Sequence, residues 1–197
     1  VILPAPSQIR SWLQLKLNTA NKISAGDLGG SPLHSSRAAA VLIPLVLHPA
    51  GVSVLFTERA AHLSTHAGQV SFPGGAFEKQ DIDLVATALR ETQEETGIPI
   101  ERVEVVASLA EYFTISRYRV TPVVGLLQPG FEMAPDPREV AAVFELPLEV
   151  LLDVRCYERR MVERNGQRGF THFLEHDGRV VWGATAGMLM MLAKSLE

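Results

Sequence analysis

Cysteine is almost missing from this sequence. One residue in 197, Cys156, excludes an intramolecular disulfide framework and a cysteine-rich zinc site. A lone thiol suits a reducing compartment, so a cytoplasmic location is expected. Excess positive charge is missing too. The 18 Lys and Arg against 22 Asp and Glu give a formal charge of −4, without the basic face of a general nucleic-acid binder. A polyanionic substrate stays open, because a bound cation can supply local positive charge. Long apolar runs are absent. Ala38 to Leu47 spans ten residues and contains Pro44, well short of the roughly 18–20 that a spanning helix needs. No membrane partner is therefore expected. Val1 rather than Met opens the sequence, which leaves a preceding targeting segment open. Repeats and low-complexity tracts are also lacking. At 47% hydrophobic residues the chain has ample material for a core, and its length suits one domain.

The order of elements is mixed. Ile9, Leu13 and Leu17 recur at helical spacing within residues 6–20, with Ser7 as a candidate N-cap. Residues 21–36 are rich in Gly, Ser and Asn and read as a loop, so residues 1–36 form an N-terminal helix and loop ahead of a single domain at 37–197. Val41 to Leu47 and Val52 to Thr57 predict strands around the turn composition His48-Pro49-Ala50-Gly51. Val70-Ser71-Phe72 predicts a short extended piece. A helix is expected over 81–96, with Ile82, Val85, Leu89, Thr92 and Thr96 on one face and Gly97 as C-cap. Strands follow at Val103 to Phe113 and Val120 to Leu127, a Pro/Gly loop at Pro129 to Pro137, and a strand at Val140 to Leu146. Leu148 to Leu152 reads as a short turn or helix. Hairpins are expected around Asn165-Gly166 and Asp177-Gly178, and a last helix over Ala184 to Leu196. Hairpins outnumber βαβ units, which predicts a mixed sheet between helices.

The segment with chemical content runs from Gly74-Gly75 to Gly97. On a wheel of about 100° per residue, Glu95 lies about 40°, Glu94 about −60° and Arg90 about −100° from Glu91. Three carboxylates and a guanidinium thus share one side of the helix. Like charges at these spacings destabilise a bare helix by roughly 0.2–0.5 kcal/mol per pair, and a divalent cation would offset far more. Clustered carboxylates suit Mg²⁺ or Mn²⁺ rather than zinc. Such an ion permits hydrolysis of a phosphoanhydride, with a free carboxylate taking the proton of the attacking water. Gly74 and Gly75 let main-chain atoms approach a metal or phosphate.

Gly75 to Ile98 resembles the Nudix box, G-x5-E-x7-R-E-U-x-E-E-x-G-U with U apolar. Arg90-Glu91-x-x-Glu94-Glu95-x-Gly97 matches intact. Three features depart from the pattern. One extra residue separates Gly75 from Arg90, and the acidic position carries Asp81 or Asp83 instead of Glu. Thr92 also stands where the pattern has an apolar residue. The similarity extends to the coenzyme A pyrophosphatase subfamily, with its LLTxR and HxGQVxFPGG segments. Here these are Leu55-Phe56-Thr57-Glu58-Arg59 and His66-Ala67-Gly68-Gln69-Val70-Ser71-Phe72-Pro73-Gly74-Gly75. Arg119 to Gly125 and Trp182 to Gly187 are similar to its later segments. The subfamily's usual Arg is Ser64 in this chain.

The resemblance implies a Nudix-type α/β/α sandwich with a mixed β-sheet. It implies water attack on coenzyme A or an acyl-coenzyme A, giving adenosine 3′,5′-bisphosphate and 4′-phosphopantetheine. Glu91, Glu94, Glu95 and Gly75 would hold Mg²⁺ or Mn²⁺, with Arg90 keeping the cluster in place. ADP-ribose, a dinucleotide or a nucleoside triphosphate is the alternative substrate, and a catalytically silent ligand-binding module is the alternative role. The expected partner is a small nucleotide-diphosphate derivative, and a homodimer is an open assembly state.

Several residues have two readings. Arg117 and Arg119, at strand spacing, are either a phosphate clamp or an exposed edge pair. Arg59 contacts phosphate or forms a structural ion pair. His66 contacts substrate or organises its loop. Glu139 is a further metal ligand or base, with Glu145 as its rival. Met188, Met190 and Met191 read as packing residues, and Cys156 as a small buried one.

Overall fold

The computed structural model describes residues 2–20, 24–27, 36–63, 66–164 and 167–197. Ser64 and the hairpin tip Asn165-Gly166 lie outside them. The chain runs α1 (Ile9–Thr19), β1 (Ala25–Gly26), β2 (Arg37–His48), β3 (Gly51–Arg59), β4 (Val70–Ser71), β5 (Gly74–Ala76) and α2 (Leu84–Thr96). It continues through β6 (Val103–Ser108), β7 (Tyr112–Phe113), β8 (Tyr118–Leu127), β9 (Val140–Pro147) and α3 (Leu148–Leu151). It closes with β10 (Tyr157–Arg164), β11 (Gln167–His176), β12 (Arg179–Trp182) and α4 (Gly183–Ser195).

The main sheet is mixed. β2 lies parallel to β8 over ten register pairs, from Arg37↔Tyr118 to Val46↔Leu127. On its other side β2 changes partner, pairing first with β5 (Ala39 to Val41) and then with β3 (Leu45 to His48). Pro44 falls in the gap between those two ladders. Its missing N–H therefore costs no pairing, which explains a proline inside a central strand. β9 and β4 extend the sheet beyond β3, and β6 and β7 extend it beyond β8.

Side chains alternate across this sheet, so both faces are apolar. Ala39, Ile43, Leu45, Val54, Phe56, Val120 and Val124 enter the larger core, with α1 and α4. Ala40, Leu42, Val46, Leu55, Val123 and Leu127 enter the smaller core, with Ala88 of α2 and Ile98. This is the expected helix–sheet–helix layering. The N-terminal helix contributes Ile9, Leu13 and Leu17, all buried, to the larger core. The second sheet, β10-β11-β12, is antiparallel and pairs across Asp177-Gly178 as the sequence predicts. Arg179 fastens it to the main sheet by an ion pair with Glu58 and by stacking 4.3 Å over Phe144.

Several expectations are corrected. Ser7 caps nothing, since the first helical turn starts after Ala5 and uses no side-chain cap. Ile82 lies outside α2 and is 91% exposed, because Asp83 and not an earlier residue is the N-cap. The strand expected over Val103 to Phe113 divides into β6 and β7. β1 is a two-residue strand inside the expected loop and runs parallel to β7. Cys156 is exposed rather than buried. Met188 and Met191 are buried in the larger core, as expected.

Candidate active site

α2 starts where Asp83 accepts a hydrogen bond from the Ala86 N–H at 2.7 Å, and it ends at Gly97 with φ of 74°. Its buried residues include Ala88, Thr92, Glu95 and Thr96. Thr92, at an apolar position of the motif, is tolerated there because its hydroxyl donates to the Ala88 carbonyl at 2.6 Å.

Arg90 organises the cluster. Its Nε donates to Asp81 Oδ1 at 2.9 Å and its Nη2 to Asp81 Oδ2 at 3.1 Å. Nη1 reaches Glu91 and Glu94, both at 3.0 Å, and Nη2 also reaches the Ala76 carbonyl at 3.3 Å. The choice between the two aspartates is thereby settled: Asp81 is the bidentate partner and Asp83 is the helix cap. The extra residue of the motif is absorbed in the non-helical stretch between them, where Ile82 turns to solvent. Asp81 also accepts from the Glu78 N–H and the Thr87 hydroxyl, each at 2.9 Å. The Arg90 hydrogen bonds, aided by these two, hold its carboxyl far below the usual carboxylate range despite burial.

The other face of the cluster meets the glycines of β5. A Cβ on Gly75 would lie 2.4 Å from the Glu91 carboxylate, so only glycine leaves Glu91 its place. A Cβ on Gly74 would meet the Ala40 carbonyl oxygen at 2.4 Å. The Gly74 N–H donates to Glu95 Oε2 at 3.3 Å. Burial pushes the Glu95 carboxyl up to about 8, and Arg59 and the Gly74 N–H offset only part of that effect. Burial also raises Glu91, against the pull of Arg90. Glu139 adds to both shifts, which puts it beside the cluster. Its rival Glu145 is engaged elsewhere, with His48 Nε2 at 2.6 Å and with the Ser53 hydroxyl.

Arg59 ends β3 with Nη1 4.0 Å from Glu95 Oε1, a loose ion pair. Its Nε is buried and is left without a hydrogen-bond partner among the described residues. His66 organises its loop: its Nδ1 pairs with Gln69 Oε1, and its carbonyl accepts the Gln69 N–H at 3.2 Å. Arg117 and Arg119 do not form a strand pair. Arg117 sits in the turn before β8 with φ of 64°, and Arg119 pairs with Glu111 at 3.1 Å. A cavity of about 280 Å³ opens beside the cluster. Arg59, His66 and Gly74 line it, and neither Arg117 nor Arg119 does. Sequence reasoning missed the far wall, made by Val162, Phe170, Trp182 and Met188. Only the Trp182 to Gly187 segment hinted at it.

The donor set itself tests the fit of a divalent metal. The site offers hard oxygen donors, among them the buried Glu95 and the partly buried Glu91 carboxylates, whose charge burial disfavours. That is the chemistry a hard divalent cation satisfies. Among the described residues no three acidic, His or Cys side chains are grouped so as to hold a metal ion as they stand. Water and phosphate oxygens would therefore have to complete the coordination.

A model of the NUDIX domain matches residues 36–165. The chain belongs to the Nudix family. A Photorhabdus laumondii protein named "Uncharacterized Nudix hydrolase NudL" is 41% identical over 163 residues, covering 83% of this chain and 87% of that protein. A Pectobacterium atrosepticum protein of the same name is 43% identical over 166 residues, covering 84% and 86%. The solved Mycobacterium smegmatis Nudix hydrolase RenU aligns with TM-score 0.48 and 22% identity, over 63% of this chain and 78% of that one. The chain is thus a Nudix hydrolase, from a family of enzymes that act on nucleoside diphosphate derivatives and generally use Mg²⁺ or Mn²⁺. Among the described residues no helix is long and apolar enough to cross a membrane.

Proposed function

We propose that the chain hydrolyses the diphosphate of coenzyme A or an acyl-coenzyme A, with Mg²⁺ or Mn²⁺ held by Glu91, Glu94, Glu95 and the Gly75 main chain. The observation that carries this reading is the carboxylate cluster. Arg90 and Asp81 brace it, Gly74 and Gly75 give it room, and Arg59 and Gly74, which contact Glu95, line a largely apolar cavity beside it. When bound, the ion neutralises the diphosphate and lowers the pKa of an attacking water. The chain's own groups do the rest. Arg59, which lines the cavity, offers its guanidinium to a phosphate oxygen. The Arg90 fork, fixed by Asp81, keeps Glu91 and Glu94 aimed. Glu139, exposed beside the cluster, takes the proton of the attacking water. The new bond joins water oxygen to phosphorus, the bridging P–O bond breaks, and two phosphomonoesters leave.

The subfamily segments around Arg59 and Gly74 favour coenzyme A. Ser64 in place of the subfamily Arg favours ADP-ribose as the second reading. The test is Mn²⁺-supported hydrolysis of coenzyme A, dephospho-coenzyme A and ADP-ribose with product identification. Release of adenosine 3′,5′-bisphosphate supports the proposal. Cleavage of ADP-ribose alone replaces it with the second reading.

A further inference from the structure

Glu139 has no helix or strand of its own to hold it. It lies in the loop 128–139 between β8 and β9, so its place beside the carboxylate cluster has to come from that loop. The loop is tied to α2 at two points. The Ala134 N–H donates to the Thr96 carbonyl at 2.9 Å, and the Asp136 N–H to the Glu95 carbonyl at 3.1 Å. Both acceptors are among the last carbonyls of the helix, which find no partner within it. Gly97 allows the approach, because a Cβ there would lie 2.7 Å from the Ala134 nitrogen. That glycine makes room for the loop as well as ending the helix.

Asp136 stands between Pro135 and Pro137. Neither proline has an N–H, so the Asp136 N–H is the one main-chain donor of the three residues, and it goes to Glu95. The Asp136 carbonyl accepts from the Glu139 N–H at 3.0 Å and the Val140 N–H at 2.8 Å. Asp136-Pro137-Arg138-Glu139 is thus a hydrogen-bonded turn with Asp first and Pro second, the composition such turns favour. The Asp136 side chain reinforces it: Oδ1 accepts from the Arg138 N–H at 2.9 Å, and Oδ2 from Arg138 Nη2 at 2.6 Å. On the other side the Glu139 carbonyl accepts from the Ala60 N–H at 2.8 Å, one residue past Arg59. The Glu139 main chain is therefore held between the helix that carries the carboxylates and the strand end that carries Arg59. We propose that Asp136 is a positioning residue: its N–H and carbonyl link Glu95 to Glu139, and its side chain keeps the turn that sets Glu139 beside the cluster. This rests on the reading above in which Glu139 takes the proton of the attacking water. It does not depend on which diphosphate is cleaved.

The experiment is a double-mutant cycle on kcat with Mn²⁺ and coenzyme A, or ADP-ribose if that alone is cleaved. Glu139→Gln should lower kcat by about a hundredfold or more. Asp136→Ala removes the acceptor for the Arg138 N–H and should lower kcat by about tenfold through misplacement of Glu139. Its KM should stay within about twofold of the parent, and in the Glu139→Gln background its effect on kcat should fall to about twofold or less. Asp136→Asn still accepts from the Arg138 N–H and should keep kcat within about threefold of the parent. In the metal-free protein, amide exchange at Glu139 should be about tenfold faster in Asp136→Ala, with the α2 amides unchanged. Melting temperature checks folding, and should Asp136→Ala not fold, Pro137→Ala loosens the same turn and takes its place in the cycle. An equal loss of kcat in both backgrounds, an Asn variant as slow as the Ala variant, or unchanged Glu139 exchange overturns the positioning role and leaves Glu139 as the base. A Glu139→Gln rate within about threefold of the parent overturns the base reading and the proposal with it.

Discussion

Replacing Glu95 by Gln should stabilise the metal-free protein and disable the enzyme. Glu95 is 5% exposed, and burial raises its carboxyl from 4.5 to about 8. At pH 7 the unfolded chain ionises this group while the folded, metal-free chain keeps it protonated. Folding must then add a proton to a carboxylate, which costs about 3 kcal/mol at 1.36 kcal/mol per pH unit. A raised carboxyl pKa costs nothing below the unfolded value, costs progressively more as pH climbs from about 4.5 to about 8, and then levels off. Gln has the shape of the protonated acid, still accepts from the Gly74 N–H and carries no such cost. Urea unfolding in EDTA at pH 7 should therefore show Glu95→Gln more stable by about 3 kcal/mol, or roughly 6–12 °C in Tm for a chain of this size. The gap should vanish at pH 4. Saturating Mn²⁺ should shrink or reverse it, because the parent gains more from binding the ion. In the same variant kcat should fall at least a hundredfold, about 2.7 kcal/mol of barrier. Equal stability of the two proteins in EDTA at pH 7–8 would refute the reasoning, and so would a rate within threefold of the parent.

Three further outcomes are expected. Arg90→Lys should lower both kcat and Tm, because an ammonium cannot reproduce the bidentate contact with Asp81 while reaching Glu91 and Glu94; a rise in KM with Tm unchanged would mean that Arg90 contacts substrate instead. Asp81→Asn should cost about 1.5–3 kcal/mol in chemical denaturation by taking the bidentate partner from a partly buried guanidinium that keeps Glu91 and Glu94. The pH dependence of that loss has a definite sign: the depressed Asp81 carboxyl contributes fully above its unfolded value of about 3.9 and loses its contribution as pH falls below it, so parent and variant should converge in acid, and a constant gap from pH 7 to pH 2 would contradict the ion pair.

The parts of the fold that follow short-range rules were legible. Apolar, β-rich runs placed β2, β3 and β8, and the wheel over α2 put Glu91, Glu94, Glu95 and Arg90 on one side. What depends on long-range partners was not. Asp81 and Asp83 are two residues apart and chemically alike, and only the path of the chain into α2 decides which one meets Arg90. Arg117 and Arg119 have strand spacing, but a left-handed residue at 117 breaks the strand between them. Asp27 and Tyr112 are 85 positions apart, so their hydrogen bond leaves no local pattern. A cavity of about 840 Å³ lined by α1, β11 and α4 depends on those elements meeting, which no single segment announces.

The most direct test of the central claim is the fate of coenzyme A incubated with the purified chain and Mn²⁺, with and without excess EDTA. The account predicts that adenosine 3′,5′-bisphosphate and 4′-phosphopantetheine appear in equal amounts with Mn²⁺, and that neither appears with the chelator. Undiminished hydrolysis in EDTA would contradict the metal role of the α2 carboxylates, and intact coenzyme A beside cleaved ADP-ribose would contradict the substrate.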